Sequence, residues 1–74
     1  MVFKFAKLTD KSGNIILFNT NNNIVSMDTG MTQYLGQNVI LTHIYCIIDG
    51  ISVETICQES PAEAAKIIEY AANE

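Results

Sequence analysis

A chain of 74 residues that is 49% hydrophobic, with mean hydropathy +0.20, makes one domain, residues 1–74, and is apolar enough for its size that part of its surface is expected to lie in an interface. Lys and Arg total 4 against 8 Asp and Glu, a net charge of −4 with no basic block, which argues against duplex nucleic acid as a partner. MVFKFAKLTDKSG contains no apolar run of signal-peptide length and nowhere do ~18 consecutive apolar residues occur, so a soluble, cytoplasmic protein without membrane contact is expected.

FKFAKLTDKSGNIILFN reads as a β-hairpin. A four-residue DKSG turn separates two runs rich in Phe, Ile and Leu, and Gly13 can supply a positive φ. With Thr9 opposite Asn14, Leu8 faces Ile15, Lys7 faces Ile16, Ala6 faces Leu17 and Phe5 faces Phe18. Both faces are then largely apolar, with Phe3, Phe5, Ile16 and Phe18 together on one of them. Such a pair is expected to be covered on both sides, by a helix on one and by another copy of the chain on the other.

In NTNNNIVSMD the amides of Asn19, Asn21, Asn22 and Asn23 suit a turn or bulge before an extended run from Ile24 to Met27. They are also dense enough to line a polar ligand, although turn chemistry alone accounts for them. TGMTQYLGQN, residues 29–38, carries two glycines and little periodicity. It reads as a long loop and a place for a variable functional element, Tyr34 included.

IYCIIDGISVETIC is the strongest local signal. A two-residue Asp49-Gly50 turn of type I′ fixes Ile48 opposite Ile51, Cys46 opposite Val53, Ile44 opposite Thr55 and Thr42 opposite Cys57. All eight of these residues share the core face. The opposite face carries Leu41, His43, Tyr45, Ile47, Ser52, Glu54, Ile56 and Gln58, a mixture that suits an oligomer interface or a ligand cleft. Cys46 and Cys57 are four residues out of register, roughly 13 Å apart at ~3.4 Å per residue. That is beyond the ~7 Å Cα separation a disulfide tolerates, so both are expected to be buried free thiols.

SPAEAAKIIEYAANE closes the chain. Ser60 as N-cap, Pro61 at the first helical position and Glu63 three residues after the cap predict a helix over 61–73. Its apolar stripe is Ala64, Ile67, Ile68 and Ala71. Glu59 and Glu63 are accounted for by capping and by the positive end of the helix dipole.

Chemistry is sparse. Two distant cysteines, with His43 on the other face from Cys46, fall short of the three or four ligands a zinc ion needs. Alternation also keeps His43 from serving as base to Cys46. Glu54, two positions from the residue cross-strand to His43, is its nearest carboxylate. No catalytic, cofactor-binding or metal-ligating residue is assigned, and no enzyme is expected. The candidate partner or ligand surface is Asn19, Asn21, Asn22, Asn23, Tyr34, His43, Tyr45 and Glu54.

The order KLTD, a Gly-Asn at residues 13 and 14, an extended IVSM, a DG hairpin and an ESP that opens a helix resembles the FlbD-like family of short bacterial proteins and similar bacteriophage proteins. The likeness runs from Phe5 to Ile68 apart from residues 29–38. It departs at NTNNNI, where the family usually has Asn-Pro-Asp. The resemblance implies a flagellar accessory role and supplies no catalytic residue.

The fold expected is α+β: an antiparallel β-meander of about four strands with one C-terminal helix on one face, assembled as a dimer or higher homo-oligomer through the other. The function expected is a non-enzymatic binding or adaptor module of a bacterium or bacteriophage, holding a host protein or small ligand. The alternative is a phage anti-defence protein that sequesters a nucleotide immune signal between subunits.

Overall fold

The computed structural model describes residues 4–74; Val2 and Phe3, expected at the start of the first strand, lie outside the described residues. The fold is α+β, with five strands in two antiparallel sheets and one C-terminal helix. β1 (Phe5–Thr9) and β2 (Ile15–Asn19) form one sheet. β3 (Asn23–Tyr34), β4 (Gln37–Ile48) and β5 (Ile51–Cys57) form a meander, and α1 (Pro61–Ala72) follows. No helix is long and apolar enough to cross a membrane among the described residues.

The first hairpin is one residue out of the expected register. Asp10 is the cause. Its backbone N–H donates to the carbonyl of Asn14 at 2.8 Å, and its Oδ1 accepts from the amides of Ser12 at 2.9 Å and Asn14 at 2.8 Å. Asp10 and Asn14 therefore close the turn, Gly13 takes φ 90°, and the pairs become Thr9 with Ile15, Leu8 with Ile16, Ala6 with Phe18 and Phe5 with Asn19. A slip of one residue exchanges the faces of β2. Phe18, expected outside, is buried at 3% exposure beside Ala6 and Leu8, while Phe5, Ile15 and Leu17 are exposed.

Residues 29–38 are not a loop. They form the end of β3, the two-residue turn Leu35-Gly36 and the start of β4, so that two twelve-residue strands run antiparallel from Asn23 with Ile47 to Tyr34 with Gln37. Leu35 and Gly36 take φ of 51° and 75°. Both values are positive, as a type I′ turn demands, but Leu is a residue that seldom accepts them. The register shifts between Ile24 and Ser26, where Val25 forms a bulge.

The Asp49-Gly50 hairpin has the expected register in full, with φ of 52° and 78° at its turn. Cys46 and Cys57 are buried and free. Ile48, Ile51 and Val53, expected in the core, are exposed because the hairpin end runs past it. Leu41, expected on the surface, is buried, and Ile56 is half-buried.

The helix begins as expected. Ser60 Oγ accepts from the Glu63 amide at 3.2 Å and donates to Glu63 Oε1 at 3.2 Å, and the helix ends at Ala72, one residue before the expected stop, with Asn73 as its cap. Glu59 is no cap. Its carboxylate accepts from the Thr9 amide at 2.9 Å and from Thr9 Oγ1 at 2.8 Å, and its carbonyl accepts from Thr42 Oγ1. Gln58 adds its amide to the Thr9 carbonyl at 2.8 Å. The junction between β5 and α1 is thereby stapled to the end of β1.

Ala6, Leu8 and Phe18 of the first sheet, Ile44, Cys46 and Cys57 of the second, and Ala64 and Ile68 of α1 make one core. Ile16, Ile24, Met27, Ile67 and Ala71 pack against it. The first hairpin turns its Ala6, Leu8 and Phe18 face into this core and leaves Phe5, Ile15 and Leu17 of its other face exposed, and α1 packs chiefly on β1. Beyond the pair of Thr42 with Cys57, β3 and β4 continue without β5 as a two-stranded ribbon. The Cα radius of gyration, 12.4 Å, and extents of 42 × 26 × 19 Å reflect that projection; a compact chain of this length would have a radius of about 11 Å.

Candidate functional site

Alternation along β4 turns His43 and Tyr45 away from the core, and the fixed register of β5 sets Glu54 directly across from Tyr45. On the other flank, β3 brings Asp28 opposite His43 and Gly30 opposite Leu41. The His43 ring leans over Gly30. A Cβ built there would stand 2.9 Å from both Cδ2 and Nε2, closer than real atoms approach, so the ring occupies the space that only glycine leaves.

Two hydrogen bonds hold the ring in place. Nδ1 lies 3.2 Å from Glu54 Oε2 and Nε2 lies 3.1 Å from Thr32 Oγ1. A carboxylate only accepts, so Nδ1 carries the proton toward Glu54, and in the neutral ring Nε2 accepts from the Thr32 hydroxyl. The rings of His43 and Tyr45 are nearly parallel, at 18°, with centroids 6.4 Å apart.

Glu54 is the electrostatic centre of the cluster. The neighbouring Tyr45 phenol and the bond from the His43 ring hold it below the ordinary glutamate range. Glu54 in turn raises the Tyr45 phenol, with partial burial and the charge of Asp28 adding to it.

Thr32, His43 and Glu54 follow the order hydroxyl, imidazole, carboxylate that a nucleophile relay uses. Acyl transfer by such a relay also needs donors aimed at a developing oxyanion. Among the described residues, His43 is the one hydrogen-bond partner of the Thr32 side chain, and these contacts orient a ring on a sheet. Among the described residues, no group of three or more His, Cys, Asp or Glu is arranged to hold a metal ion.

Of the residues singled out from sequence, His43, Tyr45 and Glu54 come together. Asn19, Asn21, Asn22 and Asn23 do not join them. Asn19 Oδ1 accepts from the Asn21 amide at 2.9 Å and the Asn19 carbonyl from the Asn22 amide at 3.0 Å, a local turn between β2 and β3, and Asn23 opens β3. Tyr34 ends β3 with Lys11 Nζ 5.9 Å from its ring centroid. Asp28, Gly30 and Thr32 were missed. Their spacing of two, continued by Tyr34, is a strand signal that the two glycines of the segment masked.

No protein-family model matches the chain, and neither curated proteins nor solved structures yield a match to it.

Proposed function

We propose that the protein is a non-enzymatic, self-assembling binding module, a bacterial or bacteriophage accessory protein of FlbD-like type that holds a partner protein or small ligand on its assembled surface. What carries the proposal is the ribbon of β3 and β4 beyond β5. Met31, Leu35 and Ile40 stand on it at 68%, 85% and 70% exposure. A two-stranded hairpin alone is marginally stable in water, and apolar side chains on a projecting arm are a cost unless something covers them.

A second copy is the occupant the chain can always provide, and closed symmetric assembly would cover both ribbons at once. The polar and aromatic cluster of His43, Tyr45 and Glu54, with Ile47 beside it, lies on the sheet face opposite Met31 and Ile40 and would be left open to hold the partner protein or ligand. The motifs behind the FlbD-like resemblance have structural duties here: Asp10 sets a turn, Asp49-Gly50 a hairpin, and Glu59 and Ser60 the staple and cap. Light scattering on the wild type and on Ile40→Lys tests the proposal. Dimers or larger closed assemblies are expected for the first and folded monomers for the second.

A further inference from the structure

Three of the four positive side chains of this acidic chain are gathered in one place. There are four lysines and no arginine. Lys7 and Lys66 line a groove of about 460 Å³ between β1 and α1, and Lys4 stands at its end, where Nζ donates to the carbonyls of Ala72 and Glu74. Lys11 is elsewhere, beside Tyr34. Neither Lys7 nor Lys66 is in an ion pair among the described residues. Phe5, Ile67, Tyr70 and Ala71 supply the apolar lining. Among the described residues, Glu74 contributes the one carboxylate side chain that lines the groove, and Lys4 reaches its main-chain oxygen.

The backbone adds donors. Thr9 gives its N–H to Glu59 and its carbonyl to Gln58, so both of its groups point away from β2 toward the start of α1. By alternation, the backbone groups of Phe5 and Lys7 point the same way. That free edge is only two residues long before Gln58 and Glu59 occupy it, too short to seat a partner strand.

We propose that this groove is a binding site for a small apolar or aromatic molecule carrying one anionic group. The apolar body lies on Phe5, Ile67, Tyr70 and Ala71, and the anion sits between the ammonium groups of Lys7 and Lys66. The volume falls within the ~300–1,000 Å³ usual for small-molecule sites. The site lies within one chain and goes beyond the assembly proposal, since it needs no second copy.

The test uses two probes, the anilinonaphthalene sulfonate dye ANS and its uncharged relative N-phenylnaphthylamine, titrated into the folded full-length chain. ANS is expected to bind saturably, one per chain, and more tightly than the neutral dye. The double variant Lys7→Gln, Lys66→Gln should weaken ANS about tenfold, as expected for loss of charge-assisted contacts, while leaving the neutral dye unchanged. Lys11→Gln should change neither. Ala71→Trp should fill the groove and abolish both, with an unchanged melting temperature showing that the fold persists. Amide spectra should place the ANS-induced shifts at Phe5, Lys7, Lys66 and Ala71 of the wild type, a readout that requires no variant to fold. Binding should survive in Ile40→Lys, which separates this site from the ribbon. Non-saturable ANS binding, shifts confined to the ribbon, or equal ANS affinity in the double lysine variant would overturn the proposal.

Discussion

The imidazole of His43 rests on the backbone of Gly30, so close that a Cβ at position 30 would lie 2.9 Å from two of its ring atoms. The ring is also tied at both nitrogens, to Thr32 and to Glu54. Gly30→Ala must therefore displace a ring that is held, and the Thr32 bond is the one expected to break. Loss of one net hydrogen bond is worth about 0.5–1.5 kcal/mol. A drop in chemical-denaturation stability of that size, with shifted His43 ring resonances, is expected; an unchanged ring spectrum would mean that the ring is not seated there.

Glu59 makes the fold sensitive to acid. Burial alone would raise its carboxyl, but the bonds from the Thr9 amide and Thr9 Oγ1 outweigh burial and hold it below the ordinary value of 4.5. Between the native and unfolded values the unfolded chain binds more protons, so this stabilisation is complete above about pH 4.5 and is lost as pH falls through the native value. Glu54, lowered by Tyr45 and His43, adds to the same slope. Melting temperature measured from pH 6 to pH 3 should fall less steeply in Glu59→Gln than in the wild type. Parallel curves would show that the staple contributes nothing through its charge.

The thiols respond in the opposite direction. Burial pushes Cys46 up, and burial with the charge of Glu59 pushes Cys57 up to about 11. A raised thiol stabilises the fold below its ordinary value of 9.0, and that contribution is lost as pH rises toward about 11. At neutral pH both thiols should react slowly with a thiol reagent in the native protein and rapidly in denaturant. Fast native labelling would show that the core around Ile44 and Cys57 opens readily.

At the helix two substitutions separate capping from packing. Ser60→Ala removes the acceptor for the Glu63 amide and should cost about 1 kcal/mol. Ile68→Ala opens a cavity in the core shared with β1 and should cost roughly 2–5 kcal/mol. Equal small losses would mean that α1 does not dock through Ile68.

What could be read from the sequence followed the strength of its local chemistry. Asp49-Gly50 satisfies a type I′ turn with residues that tolerate positive φ, so the pairing of β4 with β5, the buried cysteines and the shared face of His43, Tyr45 and Glu54 were legible. Ser60 and Pro61 likewise marked the start of α1. Leu35-Gly36 makes the same kind of turn with a leucine at φ 51°, a residue that gives no turn signal, and the ribbon was read as a loop. With it went Asp28, Gly30 and Thr32, the half of the His43 cluster contributed by β3. In the first hairpin the side chain of Asp10 captured two amides and replaced Thr9 as the closing partner of Asn14, a local choice that alternation cannot detect. That one-residue slip placed Phe18 in the core and turned Ile15 and Leu17 outward.

Light scattering at micromolar concentration tests self-assembly through the ribbon. Met31, Leu35 and Ile40 are exposed on an arm that nothing among the described residues covers, so the wild type should have the mass of a dimer or a larger closed assembly. Ile40→Lys should have the mass of a folded 8.2 kDa monomer. A wild type that remains monomeric and soluble at the highest concentration reached would rule that assembly out.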